Sequence, residues 1–324
     1  MAGTLKIAVI DTCTVTKGDL DLSALDALGA VTYYDLLDAD ALAAAAAESD
    51  AVICNKARFT REVLEGSGRL RYIGLFATGY DNIDLAAADE RGITVCNVPG
   101  YSTDAVAQHT FALILQCASS VAAYDASVHR GDWCKSKKFS YFSDPIQELR
   151  GKTLSIVGYG SIGKAVARIG AAFGMRVLVY TRTPCSGEDV CFVPFEQALR
   201  EADFLSLHCP LNDSSRGLID AAALSLMKRS AYLINTARGA IVEEQALADA
   251  LAAGGIAGAG IDVLSEEPMR PDHPYLTAPG CILTPHIAWA ALEARVRLIA
   301  AVAENLRAFL SGAPIHVVNH PRRA

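Results

Sequence analysis

The sequence has no excess of positive charge, no Cys-x-x-Cys pair and no long uninterrupted apolar run. Its 29 lysines and arginines against 36 aspartates and glutamates leave a net charge of −7. Nucleic-acid binders ordinarily carry a basic face, and proteins that dock on anionic membranes carry a basic patch, so both classes are disfavoured. A membrane span needs about 18 apolar residues in a row. The most tempting stretch, 105–128, is interrupted by Gln108, His109, Gln116 and Asp125. The strand pattern begins by Lys6, so no secretory leader is expected, and the cytoplasm is the expected compartment. The nine cysteines are scattered (Cys13, Cys54, Cys96, Cys117, Cys134, Cys185, Cys191, Cys209, Cys281), and none has zinc spacing to another ligand. They read as reduced, mostly buried thiols, and no metal site is expected.

What is present is alternation. Short β-rich runs (KIAVID, VTYYD, AVICN, YIGLF, TVCN) alternate with Ala- and Leu-rich helical stretches over the first hundred residues. The pattern restarts after residue 150 with TLSIVG, RVLVYT, FLSLHC, AYLINT, AGAGIDV and CILTP. Continuous apolar strands separated by helices imply parallel sheets covered on both faces. Two such sets in 324 residues, at roughly 150 residues per domain, predict two doubly wound α/β domains. The breaker Asn97-Val98-Pro99-Gly100, followed by the capping residues Ser102, Thr103 and Asp104, predicts a long helix from about Asp104 to His129. A second long helix is expected from about Ala290 to Ser311, with Val296, Ile299, Ala300, Ala303, Leu306 and Leu310 on its apolar stripe. The chain is therefore expected to build most of one domain (1–103), cross to a second (104–291) and return to the first (292–324). Such a crossing would leave two hinges and a cleft, and the tail PIHVVNHPRRA would pack back on the first domain.

The strongest local motif is Gly158-Tyr159-Gly160-Ser161-Ile162-Gly163, set between a strand-like run and a helix-like run. That context turns a weak G-x-G-x-x-G match into a dinucleotide-binding signal. Gly158 permits the tight turn, Gly160 lets backbone approach a pyrophosphate, and Gly163 lets helix and strand pack closely. The helix opening at Ser161 and Ile162 offers free N–H groups and a positive dipole end to phosphate. The next strand ends in Tyr180-Thr181-Arg182-Thr183, where an NAD site usually places a carboxylate on the ribose hydroxyls. Arg182 and its hydroxyl neighbours suit a 2′-phosphate instead. The expected cofactor is NAD(P)(H), with NADP(H) favoured over NAD(H).

Three further motifs follow in order: Asn235-Thr236-Ala237-Arg238-Gly239, Asp262 to Glu267-Pro268, and Thr284-Pro285-His286 to Trp289. Each charged residue follows a strand pattern, and strand C-termini line the ligand crevice of an open parallel sheet. Together with the glycine loop, and with Ala77-Thr78-Gly79-Tyr80-Asp81-Asn82-Ile83-Asp84 and the stretch Asn97 to Gln108 in the first domain, this set resembles the D-isomer-specific 2-hydroxyacid dehydrogenases over nearly the whole chain. The segments NVPGYSTDAVAQ and PHIAWAALEAR resemble the glycerate dehydrogenase and hydroxypyruvate or glyoxylate reductase branch. Gln108 stands where members often have Glu, and Thr181 where NAD-linked members often have Asp.

The resemblance implies a flavodoxin-like substrate domain, a Rossmann cofactor domain and a homodimer formed through the latter. It implies reduction of a small 2-oxo acid, with hydroxypyruvate or glyoxylate favoured, to the D-2-hydroxy acid, and the reverse. Arg238 would bind the substrate carboxylate, His286 would transfer the proton, and Glu267 would hold His286. Cys209, Thr236, Ala237 and Asp262 would line the dinucleotide, with Asp262 on the nicotinamide carboxamide. Backbone N–H groups of Thr78 and Gly79 would add carboxylate donors, and Tyr101 and Trp289 would limit substrate size. Asn55-Lys56 is a further candidate for recognising a small polar substrate, and 133–142, aromatic and basic, a candidate for the dimer contact. The remaining histidines read as structural or solvated, with His208 near the cofactor. The alternatives are a dehydrogenase of the same fold with another substrate, such as other 2-oxo acids or phosphite, and a dinucleotide-sensing binding protein.

Overall fold

Four- and five-residue runs such as Ala51–Cys54 and Thr153–Val157 are buried at every position, which requires cover on both faces of the sheet they join. The computed structural model describes residues 4–143, 146–183 and 190–322; Cys185 lies outside them. The chain forms two compact units, one running through Ser102 and resuming at Ala290, the other spanning Thr103–Trp289.

The first unit contains strands β1 (Lys6–Val9), β2 (Ala30–Tyr33), β3 (Ala51–Cys54), β4 (Tyr72–Leu75) and β5 (Thr94–Cys96). They pair in parallel in the order β2-β1-β3-β4-β5, the flavodoxin-like order. The C-terminal tail closes on this sheet: Val317 bridges Cys96 antiparallel, and Asn319 receives the Val95 N–H while donating to the Ile93 carbonyl.

The second unit contains β6 (Thr153–Val157), β7 (Arg176–Tyr180), β8 (Cys191–Phe192), β9 (Phe204–Leu207), β10 (Tyr232–Asn235), β11 (Gly258–Ile261) and β12 (Cys281–Leu283). Their order is β12-β11-β10-β9-β6-β7-β8, all parallel. This is the dinucleotide-binding order with one strand added, and its topological switch point lies between β6 and β9. The two-residue β8 has no counterpart among the strands expected from the sequence, because two residues carry no period. The two doubly wound parallel-sheet α/β folds expected from the alternation are both present.

Two helix expectations need correction. The helix expected from Asp104 to His129 is broken into Thr103–Ser119 and Val121–His129, which meet at 60°. Ser120 at the joint has φ 51°, a left-handed conformation that no helix propagates through. Among the described residues no single helix is long and apolar enough to cross a membrane; only this bent pair passes on length and composition together. The first member is a core helix, burying Phe111, Leu113 and Ile114 against Leu154, Ile156 and Val166. In the last helix, Leu292–Leu310, the buried face is Ala294, Leu298, Ile299, Val302, Ala303, Asn305 and Leu306. Val296 and Leu310, expected on the stripe, are exposed, as is Ala300. Apolar residues on more than one face leave the period intact but its phase undetermined.

Candidate active site

In the second unit every expected cofactor and catalytic residue falls at or just beyond the C-terminal end of a strand. Gly158 follows β6 with φ +97°, a conformation that favours glycine. A Cβ there would come within 2.6 Å of the Cys209 nitrogen and 2.7 Å of the His208 carbonyl carbon. The turn after β6 thus lies directly against the segment after β9, at the switch point. A Cβ on Gly163 would sit 2.2 Å from the Gly158 carbonyl oxygen, which fixes the third glycine by packing. A Cβ on Gly160 would meet nothing within 4 Å. Gly160 caps the helix Ser161–Ala172, and no side chain caps that end. Open space at the middle glycine and uncapped N–H groups at Ser161 and Ile162 fit a dinucleotide pyrophosphate.

Thr181 and the exposed Arg182 follow β7. Burial raises the Cys209 thiol, and the Arg182 guanidinium is close enough that its charge pulls it partly back. Arg182 is thus within electrostatic reach of the turn after β9. Burial pushes the His208 imidazole down to about 3, and its Nε2 lies 2.8 Å from the buried Ser206 hydroxyl. The ring is neutral at physiological pH. Its free value is 6.5, so between pH 6.5 and 3 the unfolded chain takes up a proton that the folded chain refuses. The contribution to stability is complete above pH 6.5 and is lost as pH falls through that window. Urea midpoints measured from pH 8 to 4 are expected to decline less steeply for His208→Gln than for wild type; parallel curves would remove His208 as a source of the acid limb.

After β10, Thr236 is buried, and its hydroxyl lies 3.0 Å from that of Thr110 on the helix Thr103–Ser119. Asn235 shapes the turn that follows, donating to the Arg238 carbonyl (2.9 Å) and accepting from the Ala237 N–H (3.0 Å). The half-buried Arg238 directs Nη1 at the Ala237 carbonyl, 2.8 Å away. A Cβ on Gly239 would lie 1.8 Å from the Leu264 carbonyl carbon, so the loop after β11 rests directly on the turn that carries Arg238.

Asp262, at the end of β11, is buried and fully engaged. Oδ1 accepts from the Thr284 hydroxyl (2.6 Å) and the Ile287 N–H (2.9 Å), and Oδ2 from the Ala288 N–H (2.9 Å). His109 Nε2 donates to Thr284 Oγ1 at 3.0 Å and lies 3.5 Å from Oδ1. Burial opposes ionisation of Asp262, but these donors outweigh it and hold the carboxyl below its usual value. The Asp262 carbonyl also accepts the His286 N–H at 2.8 Å. Asp262 thus clamps both sides of His286, whose φ of 53° is the left-handed turn the clamp encloses. The resemblance puts Asp262 on the carboxamide, and His109 is expected to be structural or solvated; in the structure both hold the His286 turn. Nothing in the spacing signals His109, because it lies 175 residues from Thr284.

His286 Nδ1 is 2.7 Å from Glu267 Oε2, and Glu267 Oε1 accepts the Leu264 N–H at 3.0 Å. An ionised carboxylate can only accept, so Nδ1 carries the proton of that contact and Nε2 is the ring's outward nitrogen. Trp289 is half-buried, three residues on.

The remaining candidates belong to the first unit. Thr78 spends its hydroxyl on the Val98 carbonyl (2.8 Å) and its carbonyl on Asn97 Nδ2 (2.7 Å). Among the described residues the N–H groups of Thr78 and Gly79 have no acceptor. Tyr101 is buried, and its carbonyl accepts from Arg297 Nε. Asn55 is also buried, its side chain donating to Thr14, while the N–H groups of Asn55, Lys56 and Ala57 converge on the Asp11 carboxylate. A groove of about 680 Å³ between helices Thr103–Ser119 and Ser161–Ala172, lined by Phe111, Leu115 and Ile169, holds none of the site residues. No group of three His, Cys, Asp or Glu among the described residues is placed to hold a metal ion.

The switch-point glycine loop and the Arg, Glu and His side chains at neighbouring strand ends define an oxidoreductase that uses a nicotinamide dinucleotide. The family model for the D-isomer specific 2-hydroxyacid dehydrogenase, NAD binding domain, matches residues 111–288. The chain belongs to the D-isomer specific 2-hydroxyacid dehydrogenases, and it is an enzyme of that type. A hydroxypyruvate reductase of Blautia hydrogenotrophica is 39% identical over 97% of this chain and 100% of its own length. A glyoxylate reductase of Thermococcus litoralis is 44% identical over 80% of each chain. Among solved structures, the TT0316 protein of Thermus thermophilus superposes with TM-score 0.88 at 37% identity, covering 97% of this chain and 100% of the other. A D-lactate dehydrogenase of Aquifex aeolicus complexed with NAD and lactic acid gives 0.86 at 29%, covering 98% and 100%. An acyclic imino acid reductase in complex with NADPH and D-Arg gives 0.86 at 30%, covering 97% and 100%.

Proposed function

We propose that this enzyme reduces hydroxypyruvate or glyoxylate to the corresponding 2-hydroxy acid, of D configuration where the product is chiral, and runs the reverse reaction. The observation that carries the reading is the 2.7 Å Glu267–His286 contact, one strand end away from Arg238. Relatives named hydroxypyruvate reductase, glycerate dehydrogenase and glyoxylate reductase support the substrate class.

The bound nicotinamide supplies the hydride. The planar guanidinium of Arg238 matches a 2-oxo acid carboxylate with two parallel charge-assisted hydrogen bonds, and so fixes the neighbouring carbonyl. As the carbonyl carbon is reduced, its oxygen needs a proton, and His286 Nε2 gives it; in oxidation the same nitrogen takes it back. Glu267 fixes ring orientation and tautomer so that Nε2 is the transferring atom. The N–H groups of Thr78 and Gly79, which have no acceptor among the described residues, suit an anionic substrate group, and Trp289 and Tyr101 are assigned to limiting its size. Mixing enzyme, NADH or NADPH, and a panel of 2-oxo acids tests the reading: absorbance at 340 nm should fall with the small hydroxylated or unsubstituted acids, and no loss with any acid and either cofactor would overturn it.

The preferred cofactor in this reading is NADP(H). Thr181 offers no carboxylate, and the Arg182 guanidinium that follows β7 suits a 2′-phosphate. Arg182→Ala is expected to weaken NADPH use by roughly tenfold or more, the loss of about 1.5–3 kcal/mol for a charged hydrogen bond. NADH use should change little, and equal loss with both cofactors would exclude the assignment. The enzyme works, in this reading, as a homodimer through its second unit, where Val121, Trp133, Phe139 and Phe142 leave large apolar surfaces exposed. Buried free thiols such as Cys54 and Cys117 fit a reducing compartment, the cytoplasm.

A further inference from the structure

Glu267 sits on a loop that its own burial cannot hold. Ser265, Glu266, Glu267 and Pro268 are exposed, as are Arg270, Pro271 and Asp272; only Leu264 and Met269 are partly covered. Loops with so little buried surface sample alternative arrangements unless specific bonds pin them. A single carboxylate pins both ends of this one. Glu244 Oε1 accepts the Ser265 N–H at 2.8 Å, where the loop begins. Its Oε2 lies 3.2 Å from Nε2 of His273, where the loop ends. His273 is 4% exposed, and its Nδ1 accepts the Tyr275 N–H at 3.3 Å. With Nδ1 committed as an acceptor, Nε2 carries the proton and donates to Glu244. Glu244 opens the helix Glu244–Ala252, where a negative side chain is favoured by the helix dipole. Loop, anchors and the glycine contact at Gly239 thus form one connected assembly, and Glu267 is its exposed tip.

We infer that Glu244 and His273 are positioning residues for the reaction: the pair ties down both ends of the 265–273 loop and thereby holds the Glu267 carboxylate against His286 Nδ1. Neither residue touches the site. Loss of the tie leaves Glu267 present but poorly aimed, and misplacement on the order of 1 Å is costly in rate. The inference rests on the proposed roles of Glu267 and His286, so its test has one arm that needs turnover and one that does not.

In the first arm Glu244→Gln, Glu267→Gln and the double variant are compared by kcat and KM for reduction of hydroxypyruvate, with NADPH affinity followed by fluorescence. Glu244→Gln keeps the shape but offers its amide, not a second acceptor, to one of the two donors. It is expected to lower kcat roughly tenfold with dinucleotide affinity unchanged, whereas in the Glu267→Gln background it should matter less than twofold. Glu244→Asp, which keeps the charge, should recover part of the loss. An equal loss in both backgrounds, or none in either, overturns the inference. Unfolding midpoints are recorded throughout. If Glu244→Gln is not folded at the assay temperature, His273→Asn, which removes one anchor only, replaces it under the same criteria. In the second arm the proton on His286 Nδ1 is followed by NMR in the absence of substrate. A slowly exchanging signal in wild type that is lost in Glu244→Gln supports the inference even if no 2-oxo acid is reduced; the same signal in both proteins overturns it. Absence of turnover in wild type, with the signal behaving as expected, would count against the proposed substrate and leave the positioning pair standing.

Discussion

His286→Ala is expected to cost roughly 10²–10⁴ in kcat for reduction, the usual scale for a positioned acid–base group. The alkoxide oxygen that forms on reduction must be protonated, and neither Asp262 nor Cys209 suits the transfer. Asp262 is surrounded by donors and stays ionised, and burial raises the Cys209 thiol, which makes it a poor proton exchanger near neutrality. Glu267→Gln should give a smaller loss than His286→Ala, since the ring remains and only its orienting charge is gone. Dinucleotide affinity should stay within about twofold in both variants. The glycine loop follows β6, whereas His286 follows β12 at the far edge of the same sheet, with three strands between them. The pyrophosphate contacts at the glycine loop do not include the His286 side chain, so its removal should leave most of the binding intact. Single-turnover measurements at saturating cofactor, paired with fluorescence titrations, separate the two quantities. Near-normal turnover in His286→Ala would remove His286 as the acid, and a matching loss of cofactor affinity would mean the substitution had disturbed the sheet edge.

Arg238→Ala is expected to lower kcat/KM by on the order of 10²-fold or more, because two charge-assisted hydrogen bonds to the substrate carboxylate are lost at about 1.5–3 kcal/mol each. Both constants should move: KM rises because the carboxylate loses its anchor, and kcat falls because the carbonyl is no longer aimed. Arg238→Lys restores the charge but not the fork and should recover only part of the loss. Steady-state kinetics on an acid and on its amide distinguish this from general damage. The amide has no carboxylate for Arg238 to hold, so its already poor turnover should be nearly indifferent to the substitution. An Arg238→Lys enzyme with full kcat/KM would show that the carboxylate is bound elsewhere. The backbone around Arg238 is held by Asn235 and by the close approach at Gly239 as well as by the Arg238 bond to the Ala237 carbonyl.

Much of this was written locally in the chain. Period and apolar run length located eleven of the twelve strands, since a fully buried parallel strand needs nothing but apolar residues between two turns. The glycine spacing at Gly158, Gly160 and Gly163 marked the loop proposed for the cofactor, because the positive φ of Gly158 and the packing of Gly163 on the Gly158 carbonyl are demands set within a few residues. The order of Arg238, Glu267 and His286, each just past a strand pattern, was enough to place them at one sheet edge. Tertiary structure decided the rest. The break at Ser120 and the buried phase of the last helix depend on which neighbours a helix meets, and local periodicity leaves that open. His109 reaches Thr284 across 175 residues, and Glu244 gathers Ser265 and His273 from across the next strand connection. Hydrogen bonds of this kind follow from which strand ends the sheet order brings together, so no spacing in the sequence records them.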